Sequence, residues 1–418
     1  MRGPPPPHPE RSPGPLTAWA VSVAATLVMT VSYIDRQALA AIAPTVREAL
    51  GIDHAHYGLL ASAFSMAYLV GAPVAGFFLD RVGARRGLVL FVVAWSAIAG
   101  AHALAASFAM LFVLRILLGA AEAPSFPGAA QSIRRILPAD QRSAGFGLLF
   151  TGSSIGSMIA APLAVRLQER FDWRVAFLGT AAAGLAWVPL WLLATRGSAV
   201  RRALDEGEDR HAAAAPWVDL LSSRAVWRTV VGVLASAPAL MFVLAWLPQY
   251  FVESMGMRKG DVGRYAWLPP LVFDAGALVF GWLGSRADAR ALARGEPKPT
   301  PTFLLVVAAV MEASLVLLGR TSDPWVATAI CGVSMAGGAG IYVLITADMM
   351  ARVRPTQVSS AGGITAAAQS LVYIVANPLV GKWLDRTHAW DHVTIALGIV
   401  AIPGVLVLLS VRPTAAAR

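Results

Sequence analysis

Apolar runs recur along the whole chain at a length that matches a bilayer. Twelve can be drawn, at 16–43, 55–79, 86–106, 108–133, 142–165, 173–195, 226–251, 262–285, 302–319, 324–350, 357–383 and 392–411. A helix needs about 20 residues to cross the hydrocarbon core, and the runs are near or above that length. The pattern predicts an all-α integral membrane protein with twelve spanning helices. The longest polar stretch, RGSAVRRALDEGEDRHAAAAP, falls between the sixth and seventh runs and leaves six spans on each side. Residues 16–195 and 226–411 are then two six-helix bundles joined by a linker at 196–225. Residues 1–15 are a Pro-rich, polar stretch that reads as a disordered tail, and 412–418 form a second short tail.

Composition agrees. The chain is 57% hydrophobic and 14% charged, against about 25% charged in a soluble domain. The net charge of +10 does not point to nucleic acid, because the excess is Arg in short loops between apolar runs. Basic residues gather after even spans, as in Arg81, Arg85 and Arg86, Arg134, Arg135 and Arg142, or Arg352 and Arg354. Loops after odd spans are poorer in base or mixed with acid. Under the positive-inside rule both termini and the linker are cytoplasmic, in the inner membrane of the cell. The single cysteine, Cys331, allows no intrachain disulfide.

A loop motif repeats. GFFLDRVGARR follows the second span, with Gly76, Asp80, Arg81, Gly83, Arg85 and Arg86. GWLGSRADAR follows the eighth, keeping Gly281 and Arg286. GKWLDRTHAW follows the eleventh, with Gly381, Asp385 and Arg386, and falls on the opposite side as an inverted copy should. Two six-span halves, a charged central loop and this motif resemble the major facilitator superfamily. That resemblance implies two pseudo-symmetric bundles around a central cavity.

Charge at mid-bilayer costs at least ~2.5–3.5 kcal/mol per ion on insertion scales, so charges there need a reason. The ones that stand out are Asp35 and Arg36 in the first span, Arg115 and Glu122 in the fourth, Asp274 in the eighth and Asp348 in the tenth. Consecutive helical residues point about 100° apart, so Asp35 and Arg36 cannot satisfy each other. Arg115 and Glu122 share a face. The economical arrangement pairs Asp35 with Arg115, sets Glu122 nearby, and leaves Arg36 facing the cavity with Tyr33 on its face. A purely structural cluster would explain Asp35 and Arg115 but leaves Arg36 without an acid. An unpaired cation at that depth needs an anion, and the simplest is the substrate. Asp348 reads as an end-of-helix partner of Arg352 and Arg354. Asp274 has no assignment.

SYIDRQALAAIAP in the first span, RILLGAAEAPSFPGA in the fourth and WRVAF opening the sixth resemble the anion:cation symporter family, in its hexuronate, galactonate and sugar-acid branch. WLPQYF and YAWLPPLVFDAGALVFGWLGSR fit that branch too. The resemblance implies proton-coupled uptake of an organic anion. It implies proton-carrying carboxylates at Asp35 and Glu122, linked by Arg115. It implies a substrate-carboxylate ligand at Arg36, with Tyr33 and Tyr68 lining the same cavity. Ser32 stands where the branch usually has Asn. Thr151, Ser153 and Ser154 stand where the fifth span often carries a larger amide, and Ser153 is taken to face the substrate.

The far wall must come from the second half. Asn377 sits mid-span before Pro378. Its amide can bond a substrate hydroxyl or cap carbonyls freed by the proline. Gln249, Trp246, Tyr342 and Tyr373 are further candidates. His8, His54, His56, His211, His388 and His392 fall in the tail or loops, and His102 reads as polar filler near the outer end of the third span. No metal-ligand spacing occurs, and no cofactor is expected. The expected partners are the organic anion, the proton and the bilayer, for a monomeric chain. Competing functions are a proton antiporter exporting drugs or lipids, and a symporter of a non-sugar mono- or dicarboxylate. An intramembrane enzyme would need a nucleophile–base or metal constellation at depth, and none is found. A Gly-x-x-x-x-Gly-Lys-Ser/Thr loop for an ATP-driven pump is missing from the sequence.

Overall fold

The computed structural model of the chain describes residues 14–138, 141–205, 220, 222–295, 301–354 and 358–411. The described residues contain no strand. Among them the twelve long helices are, in the first half, α1 Pro15–Ala41, α2 His54–Val82, α3 Ala84–Leu104, α4 Phe108–Ile136, α5 Arg142–Arg170 and α6 Trp173–Ala194. The second half has α7 Arg224–Ala245, α8 Leu268–Ala293, α9 Thr302–Arg320, α10 Pro324–Met350, α11 Val358–Thr387 and α12 Trp390–Ser410. The tail residues 1–13 and 412–418, and linker residues 206–219 and 221, lie outside the described residues.

Local chemistry sets several boundaries. The Asp53 carboxylate accepts from His56 N at the start of α2, Asp172 from Trp173 N at the start of α6, and Asp323 from Trp325 and Val326 N at the start of α10. Pro124 breaks α4 into Phe108–Glu122 and Ser125–Ile136, so the break falls directly after Glu122. The run expected at 226–251 breaks at Trp246, and a short helix Leu247–Glu253 follows with Pro248 in its first turn. The first run likewise ends early, and a short helix Ala43–Leu50 continues the chain.

Within the first half α1 packs on α5 and α6, and α2 on α4. The second half repeats this, with α7 on α11 and α8 on α10. The halves meet along two seams, α2 against α11 and α5 against α8. At the first seam a Cβ on Gly58 would lie 2.4 Å from the Asn377 carbonyl oxygen. Reciprocally, one on Gly381 would lie 2.2 Å from the His54 carbonyl oxygen. Backbone therefore touches backbone at both points. Pro378 removes the N–H that would serve Ile374 O, and Ser62 Oγ of the other half donates there at 2.9 Å. Tyr57 donates to Ala245 O at 2.7 Å. At the second seam Gly263 sits on Pro162. These contacts lie between mid-depth and one end of the molecule, which we call the closed end. Toward the other end Val70 and Val74 of α2 are 66% and 65% exposed, and Gly362 and Gly363 of α11 have nothing packed on them.

The motif loop between α2 and α3 is tied to the linker. Gly83 has φ +85° and its Cα region abuts the backbone of Leu204 and Asp205 in the helix Ser198–Asp205. Arg85 and Arg86 reach the Asp205 carboxylate at 4.0 and 3.8 Å, and Arg85 donates to Thr195 Oγ1. Arg81 is exposed, and the side chains at Gly76 and Asp80 lie outside the described residues. In the inverted copy Asp385 accepts from the backbone N–H groups of His54 and Ala55, so it caps the start of α2 across the seam. Arg386 is exposed.

Candidate functional site

Ser32 and Arg36 lie one turn apart on α1, so they share a face. That face meets the end of the first segment of α4, where Glu122 is fully buried. Ser32 Oγ donates to Glu122 Oε2 at 2.8 Å, and Arg36 Nη2 reaches the same oxygen at 3.5 Å. Arg36 thus has an acid after all, which corrects the expectation of an unpaired cation. The contact is long for a charge-assisted bond, where about 2.7–2.9 Å is usual. The rest of the guanidinium is held by aromatic faces. Its Cζ lies 4.5, 4.8 and 4.7 Å from the ring centres of Tyr33, Phe64 and Tyr68, within cation–π range.

The expected Asp35–Arg115 pair does not form. Asp35 is rotated about 100° from Arg36 and looks toward α3 and α6, where Trp95 and Thr180 are its polar neighbours. It is only 3% exposed, and neither carboxylate oxygen has a hydrogen-bond partner among the described residues. Arg115 instead places its Cζ 4.8 Å from the centre of the Phe64 ring. The Phe64 ring is therefore shared by two guanidiniums. The approach is possible because Gly119 lets the α2 backbone come close, since a Cβ there would lie 2.3 Å from Phe64 O.

From the other half, Tyr342 and Tyr373 come within electrostatic reach of Tyr33, and Tyr373 also of Arg36. Gln369 Nε2 donates to the Tyr373 hydroxyl at 3.2 Å. Arg36, Tyr33 and Tyr68 of the first half thus face Tyr342, Tyr373 and Gln369 of the second at mid-depth. A small cleft between the halves lies toward the closed side, lined by Gln37, Ser157, Pro248 and Pro270 among others. One turn from Ser157, Ser154 Oγ donates to Asp274 Oδ1 at 2.6 Å, a hydrogen bond between the halves. A second, very small cleft lies at Arg228 and Asp348, at the far end of the second half from the closed end.

Other expected site residues are placed elsewhere. Ser153 spends its hydroxyl on Phe150 O. Asn377 is buried, accepts from Trp246 Nε1 at 2.9 Å and donates to Tyr373 O at 2.8 Å, so its amide braces α11 at Pro378. Gln249 is carried to the closed end by the break after α7, and accepts from Arg47 Nη1 at 2.8 Å. Asp348 takes two bonds from Arg352 and lies 3.8 Å from the buried Arg228. His102 Nδ1 lies 2.8 Å from Ile98 O within its own helix, as filler does. Sequence reasoning misses Phe64, Gln369, Gln37 and Arg228. Phe64 carries no signal that separates it from a lipid-facing ring. Gln369 and Gln37 are uncharged amides at depth and can be sought as such.

The sequence puts His54 in a loop. It is instead the first residue of α2 and is 9% exposed. It joins a closed-end cluster with Arg47, Glu253 and Asp385. Lys259 and Glu48 form a further ion pair between the halves at the same end.

Residues 25–376 match the family described as Major Facilitator Superfamily. The chain is 28% identical over 417 residues to the hexuronate transporter of Escherichia coli (strain K12), covering 94% of this chain and 93% of that protein. It is 30% identical over 279 residues to the galacturonate transporter of Dickeya chrysanthemi, covering 63% of this chain and 81% of that protein. It is 24% identical to the D-galactonate transporter of Escherichia coli O6:H1, covering 91% and 92%. A crystal structure of a bacterial homologue of the human lysosomal transporter Spinster, inward-facing and occupied, superposes with a TM-score of 0.75 at 16% identity, over 93% of this chain and 96% of that one.

Proposed function

The chain belongs to the major facilitator superfamily and is a transporter related to sugar-acid transporters, and on that premise we propose that it takes up a sugar acid together with protons by alternating access. The observation that carries this is the mid-depth site. Arg36 presents a guanidinium framed by Tyr33, Phe64 and Tyr68, and its carboxylate contact among the described residues is a long one to Glu122. A substrate carboxylate can take that fork with two parallel bonds. Tyrosines and Gln369 from the facing half supply partners for hydroxyl groups.

Coupling follows from competition. With Glu122 ionised, Arg36 is already neutralised, and an entering anion makes a low-dielectric site negative. Protonation of Glu122 removes its claim on Arg36 and opens the fork to the substrate. Asp35, buried and with no hydrogen-bond partner within bonding geometry among the described residues, is a second carboxyl whose charge costs least when a proton accompanies it. Asp35, Arg36, Arg115 and Glu122 sum to zero when all are ionised. Loading one anion with one proton keeps that sum, and a second proton makes the loaded site positive. Inward movement of that charge gains ~2.3 kcal/mol per 100 mV.

The Arg-rich loops after even spans support cytoplasmic termini. In that orientation the closed end faces outward and the site communicates with the cytoplasm. The test is a thermal-shift screen of purified protein against sugar acids, short monocarboxylates and dicarboxylates at mildly acidic pH, followed by uptake into proteoliposomes under an imposed pH gradient. Stabilisation and uphill uptake of a hexuronate or aldonate is expected. Response to simple carboxylates alone, or to none, overturns the assignment.

A further inference from the structure

At the closed end the His54 ring lies between two carboxylates of the opposite half. Nε2 is 2.6 Å from Glu253 Oε2, and Nδ1 is 2.8 Å from Asp385 Oδ1. The indoles of Trp246 and Trp390 pack on the ring. A neutral imidazole has one N–H and one lone pair. It can donate to one of these oxygens only, and then turns its lone pair on the other at hydrogen-bond distance, which repels. Both contacts are attractive when both ring nitrogens carry protons.

The alternative holder of the proton is one of the carboxylates, and both are committed as acceptors. Asp385 also accepts from the backbone N–H groups of His54 and Ala55. Glu253 also accepts from Arg47 Nη1 at 2.5 Å. The titratable groups facing the ring are thus Glu253 from the short helix after α7 and Asp385 from α11, with Arg47 behind Glu253. On α2 itself, His56 pairs with Asp53, and both are about half exposed. With the ring charged, His54, Arg47, Glu253 and Asp385 sum to zero. With the ring neutral they sum to −1.

We infer that His54 is a proton-binding site of the closed end: closing this end takes up one proton, and opening it releases that proton to the same side of the membrane. Both of the ring's acceptors belong to the other half, so parting the halves strips the imidazole of both. A free imidazole is mostly neutral above about pH 6.5. The sign is fixed by linkage. The closed state binds more protons, so closure is favoured as pH falls and weakened as pH rises through neutrality. The effect holds down to where Glu253 protonates, below the usual carboxylate range. This proton does not cross the membrane. It sets how readily the end opens, and in the proposed orientation an acidic exterior keeps it shut. The inference rests on alternating access but on neither the cargo nor the membrane-depth carboxylates.

The test is a pulsed electron–electron resonance measurement across the closed end. Spin labels are placed at Leu104→Cys in the first half and Ser322→Cys in the second, with buried Cys331→Ala. Asp35→Asn and Glu122→Gln are included so that mid-depth carboxyls do not titrate. The protein is held in lipid nanodiscs with no anion and no gradient. The separated fraction is expected to rise between pH 5 and 8, by up to about tenfold per pH unit. His54→Gln should abolish that rise. Glu253→Gln keeps the ring but offers its own N–H to Nε2, so it should flatten the rise as well. A pH response unchanged in both variants, or no response with His54 and Glu253 intact, overturns the proposal. Uptake assays on the same preparations report on the transport reading separately, because the distance change needs no substrate.

Discussion

Glu122 Oε2 receives two hydrogen bonds from one face of α1, from Ser32 at 2.8 Å and from Arg36 at 3.5 Å. The short bond is the neutral one and the long bond is the charged one. Ser32 anchors the carboxylate while Arg36 is held back by its ring of aromatic faces. The guanidinium is therefore only lightly claimed, and a better-placed carboxylate can take it.

Anion affinity should accordingly depend on pH through Glu122. In the unaltered protein, binding of the sugar acid found in the screen should weaken as pH rises, by up to about tenfold per pH unit. In Glu122→Gln it should be strong and flat across the same range, and uphill accumulation should be lost. Calorimetric titration at several pH values checks this. A pH slope unchanged in Glu122→Gln would move the competing proton elsewhere.

Arg36 should tolerate no replacement. Arg36→Lys keeps the charge but loses one of two parallel bonds, each worth about 1.5–3 kcal/mol, so affinity should fall roughly 10–100-fold. Arg36→Ala should show no detectable binding while its thermal unfolding remains cooperative. Near-normal affinity in Arg36→Ala would mean the anion binds at another place.

The two carboxyls at depth should separate in their effects. Asp35 contacts neither Arg36 nor Arg115 within ion-pair distance among the described residues. Asp35→Asn is expected to leave anion binding and anion exchange largely intact and to abolish accumulation driven by a pH gradient. Counterflow and gradient-driven uptake in proteoliposomes distinguish the two. Normal gradient-driven accumulation in Asp35→Asn would reduce Asp35 to packing.

Asp35, Arg36, Arg115 and Glu122 are legible in the sequence, because each stands out against apolar neighbours in a predicted span. Their pairing is not. It depends on how α1 is rotated against α4, and the register that joins Ser32 and Arg36 to Glu122 turns Asp35 away from Arg115. The span pattern likewise predicts the twelve helices but not the break at Trp246, and that break carries Gln249 from the expected cavity wall to Arg47. His54 reads as a loop residue because it follows Gly51, which ends one helix, and Asp53, which caps the next. Its partners lie 199 and 331 residues away, a separation that no local pattern reports.

The close approach of α2 and α4 can be tested through stability. Gly119→Ala would bring a methyl group against Phe64 O. Overpacking of this kind costs about 1–3 kcal/mol, so the unfolding temperature should drop. Gly147→Ala, where nothing lies within 4 Å of the added carbon, should be neutral or stabilising by up to about 1 kcal/mol through helix propensity. Equal effects of the two would argue against a tight crossing at Gly119.

Orientation has its own check. Cytoplasmic reporter fusions at Arg418 and within 203–212 should be active, as the Arg distribution requires. Activity of a periplasmic reporter at either place would reverse the assignment of the closed end.

Gly58 rests on Asn377 O and Gly381 rests on His54 O, each pair one helical turn from the other on its own helix. What faces each glycine is main chain, which keeps its shape whatever residue the gene encodes there. A bulky side chain at an ordinary contact can be accommodated when a neighbour shrinks. At these two points no neighbour can shrink, so drift at one position cannot be rescued by drift at the other. At these two points the seam is thus fixed by what it lacks, two missing methyl groups.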